Sequence, residues 1–99
     1  MEVVEFQLPI DKIREVCARY RVARLSVFGS ALHDPLLARD LDLLVEFQSG
    51  AVLSMLEFAR LEQELESVIG RRVDLREPAD LSHLFREQVT REARLVLAA

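Results

Sequence analysis

The stretch Asp40-Leu41-Asp42-Leu43-Leu44-Val45-Glu46-Phe47 constrains this chain more than any other. Leu41, Leu43, Leu44, Val45 and Phe47 make a strand that belongs in an interior. Yet Asp40 and Asp42 open it, and Asp is among the residues that strands least favour. A fold that accepts this strand must bury its apolar side chains and still leave two carboxylates at its entrance.

The rest of the chain supplies elements to surround it. Pro9 suits the first turn of a helix, and Ile10, Ile13, Val16, Cys17 and Tyr20 follow at helical spacing. Residues 24–28 read as a short strand ended by Gly29-Ser30, and His33-Asp34-Pro35 reads as a turn. After the strand 40–47, closed by Ser49-Gly50, the longest helix is expected over about residues 51–69. Its buried stripe is Phe58, Leu61, Leu65 and Val68, and Gly70 stands where a left-handed C-cap is expected. The charged face of this helix, Glu57, Arg60, Glu62, Glu64 and Glu66, reads as solvated surface. Residues 72–76 alternate as a half-exposed strand, and a final helix is expected over about residues 82–97, after Pro78. The predicted order is α-β-β-α-β-α: an α+β fold with a small mixed sheet covered by helices. No repeat, linker or low-complexity segment divides residues 1–99, which reads as a single domain.

Charge and cysteine content narrow the chemistry. A net charge of −4 argues against a surface that grips nucleic acid, which needs an excess of Lys and Arg. A phosphate ligand remains compatible if metal ions neutralise it. Cys17 is the only cysteine, so no internal disulfide and no cysteine-rich zinc site can form, and it reads as core. His33 and His83 lack a His or Cys partner at ligand spacing and read as surface residues. The start carries no basic segment before an apolar run, and no stretch is apolar enough to span a membrane. The expectation is a cytoplasmic protein.

Side chains at i and i+2 of a strand share a face, so Asp40 and Asp42 project side by side. Two adjacent anions repel unless a cation lies between them, and Mg²⁺ is the natural choice, being held by one or two carboxylates plus substrate phosphates. Asp74 has a comparable place on the next predicted strand. If the two strands pair, Asp40, Asp42 and Asp74 can converge on one or two ions. Gly29 just past a strand permits close approach of backbone to a ligand, and Ser30 adds a hydroxyl donor.

Gly29-Ser30, nine residues, then Asp40-Leu41-Asp42 resembles the signature of the nucleotidyltransferase superfamily related to DNA polymerase β. Leu61-Glu62-Gln63-Glu64-Leu65 followed by Gly70-Arg71-Arg72-Val73-Asp74-Leu75 is similar to the helix and third-carboxylate strand of its minimal members. The likeness runs over about residues 24–96. It implies the polymerase β-like fold and transfer of a nucleoside monophosphate, AMP from ATP, onto a hydroxyl. By the same resemblance Asp40 and Asp42 hold two Mg²⁺ ions, with Mn²⁺ an alternative, and Asp74 completes one site. Gly29 and Ser30 bind the β,γ-phosphates. Minimal members are often encoded beside a helical HEPN-domain protein, so the resemblance implies such a partner, as antitoxin to toxin, with the acceptor hydroxyl on it. Either a homo- or a hetero-oligomer is compatible with this.

The pattern also departs from the family's. Ala31-Leu32-His33 stands where minimal members commonly carry Arg and Gly, and Arg39 stands where many carry Ser. These departures bear on triphosphate binding, with His33 and Arg39 the candidate replacements. They favour an alternative function, a binding module that neutralises its partner by masking it. The complete set of Asp40, Asp42 and Asp74 favours the enzyme.

Overall fold

The computed structural model describes residues 8–29 and 40–98. Within them α1 is Ile10–Arg19, β1 Val22–Phe28, β2 Asp40–Phe47, α2 Met55–Ile69, β3 Arg72–Arg76, α3 His83–Glu92 and β4 Arg94–Ala98. A short 3₁₀ turn, Pro78–Asp80, links β3 to α3. The strands form one mixed sheet in the order β3-β2-β1-β4. β1 pairs antiparallel with both β2 and β4, and β2 pairs parallel with β3. A parallel pair needs a long crossover, and α2 provides it. The α+β fold with a mixed sheet and helical cover is the one expected.

Alternation along the strands separates the two faces of the sheet. Leu25, Val27, Leu41, Leu43, Val45, Val73 and Leu75 turn to one side and meet Ile13, Val16 and Cys17 of α1 and Leu61 and Leu65 of α2. Phe28 and Leu44 turn to the other, where Leu81 and Val89 pack on them in a smaller cluster. The second face is therefore thinly covered, and Asp40, Asp42 and Asp74 alternate onto it. Phe58 and Val68 pack at the rim of the main core rather than deep inside it. The Phe58 ring meets Phe47 edge to face, with centroids 6.3 Å apart. Cys17 lies in the core, and burial raises its thiol pKa to about 11, which leaves it protonated and unreactive.

α2 starts at Met55, not near residue 51, because Ser54 caps it. The Ser54 hydroxyl accepts from the Glu57 N–H, and the Glu57 carboxylate accepts from the Ser54 N–H. Gly70 ends the helix with φ of 80°, the left-handed cap expected of it. β1 begins at Val22, two residues ahead of the expected start.

The C-terminal segment differs more. A helix over residues 82–97 is not formed: α3 stops at Glu92, Ala93 turns extended, and residues 94–98 become β4. The reason is tertiary. Without β4 the outer edge of β1 would keep its backbone groups unpaired beside the core, and the apolar run Leu95-Val96-Leu97 serves that edge well. The element order is thus α-β-β-α-β-α-β.

Leu43 sits on a central strand and is fully buried. Leu43→Ala is expected to lower the unfolding free energy by about 2–5 kcal/mol, measured by urea titration. That is a large share of the roughly 5–15 kcal/mol total of such a domain.

Candidate active site

Strand register sets the three carboxylates on one face of the sheet. Asp42 lies directly opposite Asp74 across the parallel β2–β3 pair, where strands run about 4.8 Å apart. On its other side Asp42 faces Phe28, the last residue of β1. Asp40 lies two residues before Asp42 and projects to the same face. Asp42 is thus the centre of the group, half-buried, while Asp40 is exposed.

The electrostatics follow from this placement. Burial raises the Asp42 pKa first, and the charges of Asp74 and then Asp40 raise it further, while Arg76 opposes them. A carboxylate held among anions in a half-buried position is a group waiting for a cation. Asp74 already has one. Arg76, two residues along β3 and on the same face, donates to it from Nε at 3.1 Å and Nη2 at 3.3 Å. Asp74 is therefore turned to a guanidinium, and among the described residues no three His, Cys, Asp or Glu side chains stand ready as a metal cluster. The donor set still suits a hard divalent cation, since it consists of carboxylate oxygens from adjacent strands. Rotation of the Asp74 carboxylate away from Arg76 would complete it.

Gly29 closes the site from the β1 side. Its φ is +78°, and a Cβ placed there would run into the carboxylate of Asp42, with Cγ only 3.1 Å away. The sequence suggests that glycine here leaves room for a ligand. The structure shows that it leaves room first for Asp42. Ser30, His33 and Arg39, like the Ala31-Leu32-His33 stretch, lie outside the described residues. His83 is exposed at the start of α3, consistent with a surface residue.

Arg76 is the residue of this site that sequence reasoning missed. Its signal was available, because position i+2 from Asp74 shares that residue's face. The charged face of α2 is solvated as expected at Glu57 and Arg60, but Glu62, Glu64 and Glu66 are half-buried. Glu57 caps its own helix, and Glu64 accepts hydrogen bonds from Arg19 and Tyr20 of α1 and the residue after it. Glu62 and Glu66 both bind backbone of β3.

Residues 11–99 match the family Polymerase beta, Nucleotidyltransferase. The chain belongs to the polymerase β nucleotidyltransferase family. As a nucleotidyltransferase it is 34% identical over 93 residues to the protein adenylyltransferase MntA of Thermococcus cleftensis, covering 93% of this chain and 91% of that one. A solved structure described as a candidate minimal nucleotidyltransferase shares 41% identity and a TM-score of 0.67, covering 85% of each chain. A further solved structure of similar fold is a complex of a tri-AMPylated Shewanella oneidensis HEPN toxin with MNT antitoxin. It shares 22% identity and a TM-score of 0.67 over 96% of this chain and 74% of that one, a likeness that speaks for the fold. No helix among the described residues of this nucleotidyltransferase is long and apolar enough to cross a membrane.

Proposed function

We propose that this nucleotidyltransferase moves AMP from ATP onto a hydroxyl of a partner protein, and that the partner is a HEPN-type toxin for which it serves as antitoxin. The observation that carries the reading is the register of Asp42 against Asp74, with Asp40 on the same face. A chain that only masked a partner has no need to set like charges side by side. In the reaction the acceptor oxygen bonds to the α-phosphorus, the bond from that phosphorus to the bridging oxygen breaks, and pyrophosphate leaves. Asp40 and Asp42 would hold Mg²⁺, and Asp74 would add a further carboxylate ligand. When bound, Mg²⁺ offsets the charge on the attacking and leaving oxygens. Gly29 keeps the Asp42 carboxylate seated beside the end of β1, and the family resemblance assigns the β,γ-phosphates to Gly29 and Ser30. Asp74 biases the acceptor hydroxyl toward losing its proton. The rest of the catalysis is positioning, which a domain of this size can deliver. ATP as donor supports a cytoplasmic reaction.

A second reading, the masking module, is favoured by one contact. Arg76 holds Asp74, so the third carboxylate is engaged before any metal arrives. Calorimetry separates the two readings. The enzyme is expected to bind ATP at least about tenfold more tightly with Mg²⁺ or Mn²⁺ than with EDTA, since phosphate oxygens and carboxylates share the ions. ATP affinity indifferent to metal would contradict the metal-dependent reading and favour the masking module.

A further inference from the structure

β3 lies at one end of the sheet, so the backbone groups along its outer side have no strand to pair with. Helix carboxylates serve two of them instead. The Val73 N–H donates to Glu66 Oε2 at 2.9 Å, and the Leu75 N–H donates to Glu62 Oε2 at 2.8 Å. These are the amides on either side of Asp74.

The match follows from helix and strand dimensions. After Gly70 the chain turns back, so that moving up α2 corresponds to moving along β3. Four residues of helix rise about 6.0 Å, and two residues of strand about 6.6 Å. Carboxylates spaced i, i+4 on α2 therefore fall in step with amides spaced i, i+2 on the outer edge of β3. Val73 and Leu75 bury their side chains in the main core, so their backbone would not exchange these partners for water without loosening the strand.

We propose that Glu62 and Glu66 are positioning residues for nucleotidyl transfer: they clamp the outer edge of β3 and so fix where Asp74 presents its carboxylate to Asp42 and the metal. The proposal rests on the functional reading above, and it assigns to the acidic face of α2 a role in the site on the far side of the sheet. Neither glutamate reaches substrate. Each acts through the strand, and the two bonds hold the Asp74 backbone from both sides, while Arg76 is the partner of its side chain. The same carboxylates deny the edge to a further strand, since an incoming backbone carbonyl would have to displace an anion.

The test is an amide-resolved NMR experiment on the whole chain, with Mn²⁺ as probe in the presence of the non-hydrolysable nucleotide AMP-PNP. In wild type the Val73 and Leu75 amides should exchange slowly despite lying on an edge, and Mn²⁺ should broaden the amides of both Asp42 and Asp74. Glu62→Leu should speed exchange at Leu75 about ten- to a hundredfold, the scale of one charge-assisted hydrogen bond. It should also raise, by about tenfold, the Mn²⁺ concentration at which the Asp42 and Asp74 amides broaden, because a misplaced Asp74 is a poorer ligand. Glu62→Gln, which keeps an acceptor oxygen, should restore both readouts toward wild type. Glu66→Leu, with Val73 as reporter, repeats the test should Glu62→Leu fail to fold. A wild-type Mn²⁺ titration midpoint in folded Glu62→Leu and Glu66→Leu would overturn the positioning role. Absence of broadening at Asp74 in wild type would instead overturn the metal site on which that role depends.

Discussion

Asp42→Asn is expected to reduce AMP transfer by roughly a thousandfold or more, because it removes the central anion of the site while leaving a side chain of the same shape. The fold should survive. Asp42 lies half-buried between Phe28 and Asp74, and Asn fits that space without a charge to desolvate. The metal-free protein should even be slightly more stable near neutral pH. In the folded chain burial, then Asp74, then Asp40 raise the Asp42 pKa, against the opposing charge of Arg76. The folded state thus holds this proton more tightly than the unfolded chain does. Its contribution to stability is full below the unfolded-state pKa and is lost as pH rises through the folded-state value. Denaturant titrations across the acidic range should show that loss in the wild type and a smaller one in Asp42→Asn. A variant that keeps wild-type transfer activity would remove Asp42 from the chemistry.

Gly29→Val is the second large effect, and it acts through Asp42. A non-glycine residue at φ of +78° costs about 1–2 kcal/mol, and a β-branched one is the worst suited to it. The new side chain also claims the space of the Asp42 carboxylate. Destabilisation of about 2 kcal/mol or more is expected, together with loss of metal-dependent ATP binding. Gly29→Ala should fall between, since it brings the same Cβ with less bulk behind it. Denaturation and calorimetry on the same samples read both effects. Wild-type ATP affinity in a folded Gly29→Val would show that neither the cradle nor the seat of Asp42 matters.

What the sequence made legible was local. β2 and β3 were readable because apolar residues alternate with carboxylates, and α2 because its stripe ends in a glycine cap. The pairing of Asp42 with Asp74 could be anticipated once those two strands were set side by side. β4 could not be read in the same way. Val96 falls seven residues after Val89, in step with a helix, and only the open edge of β1, far earlier in the chain, makes residues 94–98 a strand. Glu62 and Glu66 were hidden for a related reason. On an isolated helix they are solvated charges, and their partners exist only after β3 folds back along α2. Gly29 was found by its position after a strand, but the neighbour that needs its missing side chain, Asp42, emerges from the β1–β2 register. Arg76 was overlooked because an arginine ending a half-exposed strand looks like surface, and its bonds to Asp74 show only once both side chains are placed.

What separates an enzyme from a binding surface here is whether these carboxylates perform transfer. Intact-mass spectrometry of a HEPN-type partner, incubated with this protein, ATP and Mg²⁺, tests it most directly. The account predicts a partner heavier by whole adenylate units with the wild type, and unmodified with Asp40→Asn or Asp42→Asn even where the complex still forms. A partner that stays unmodified with the wild-type protein, yet is neutralised by binding it, would contradict the account.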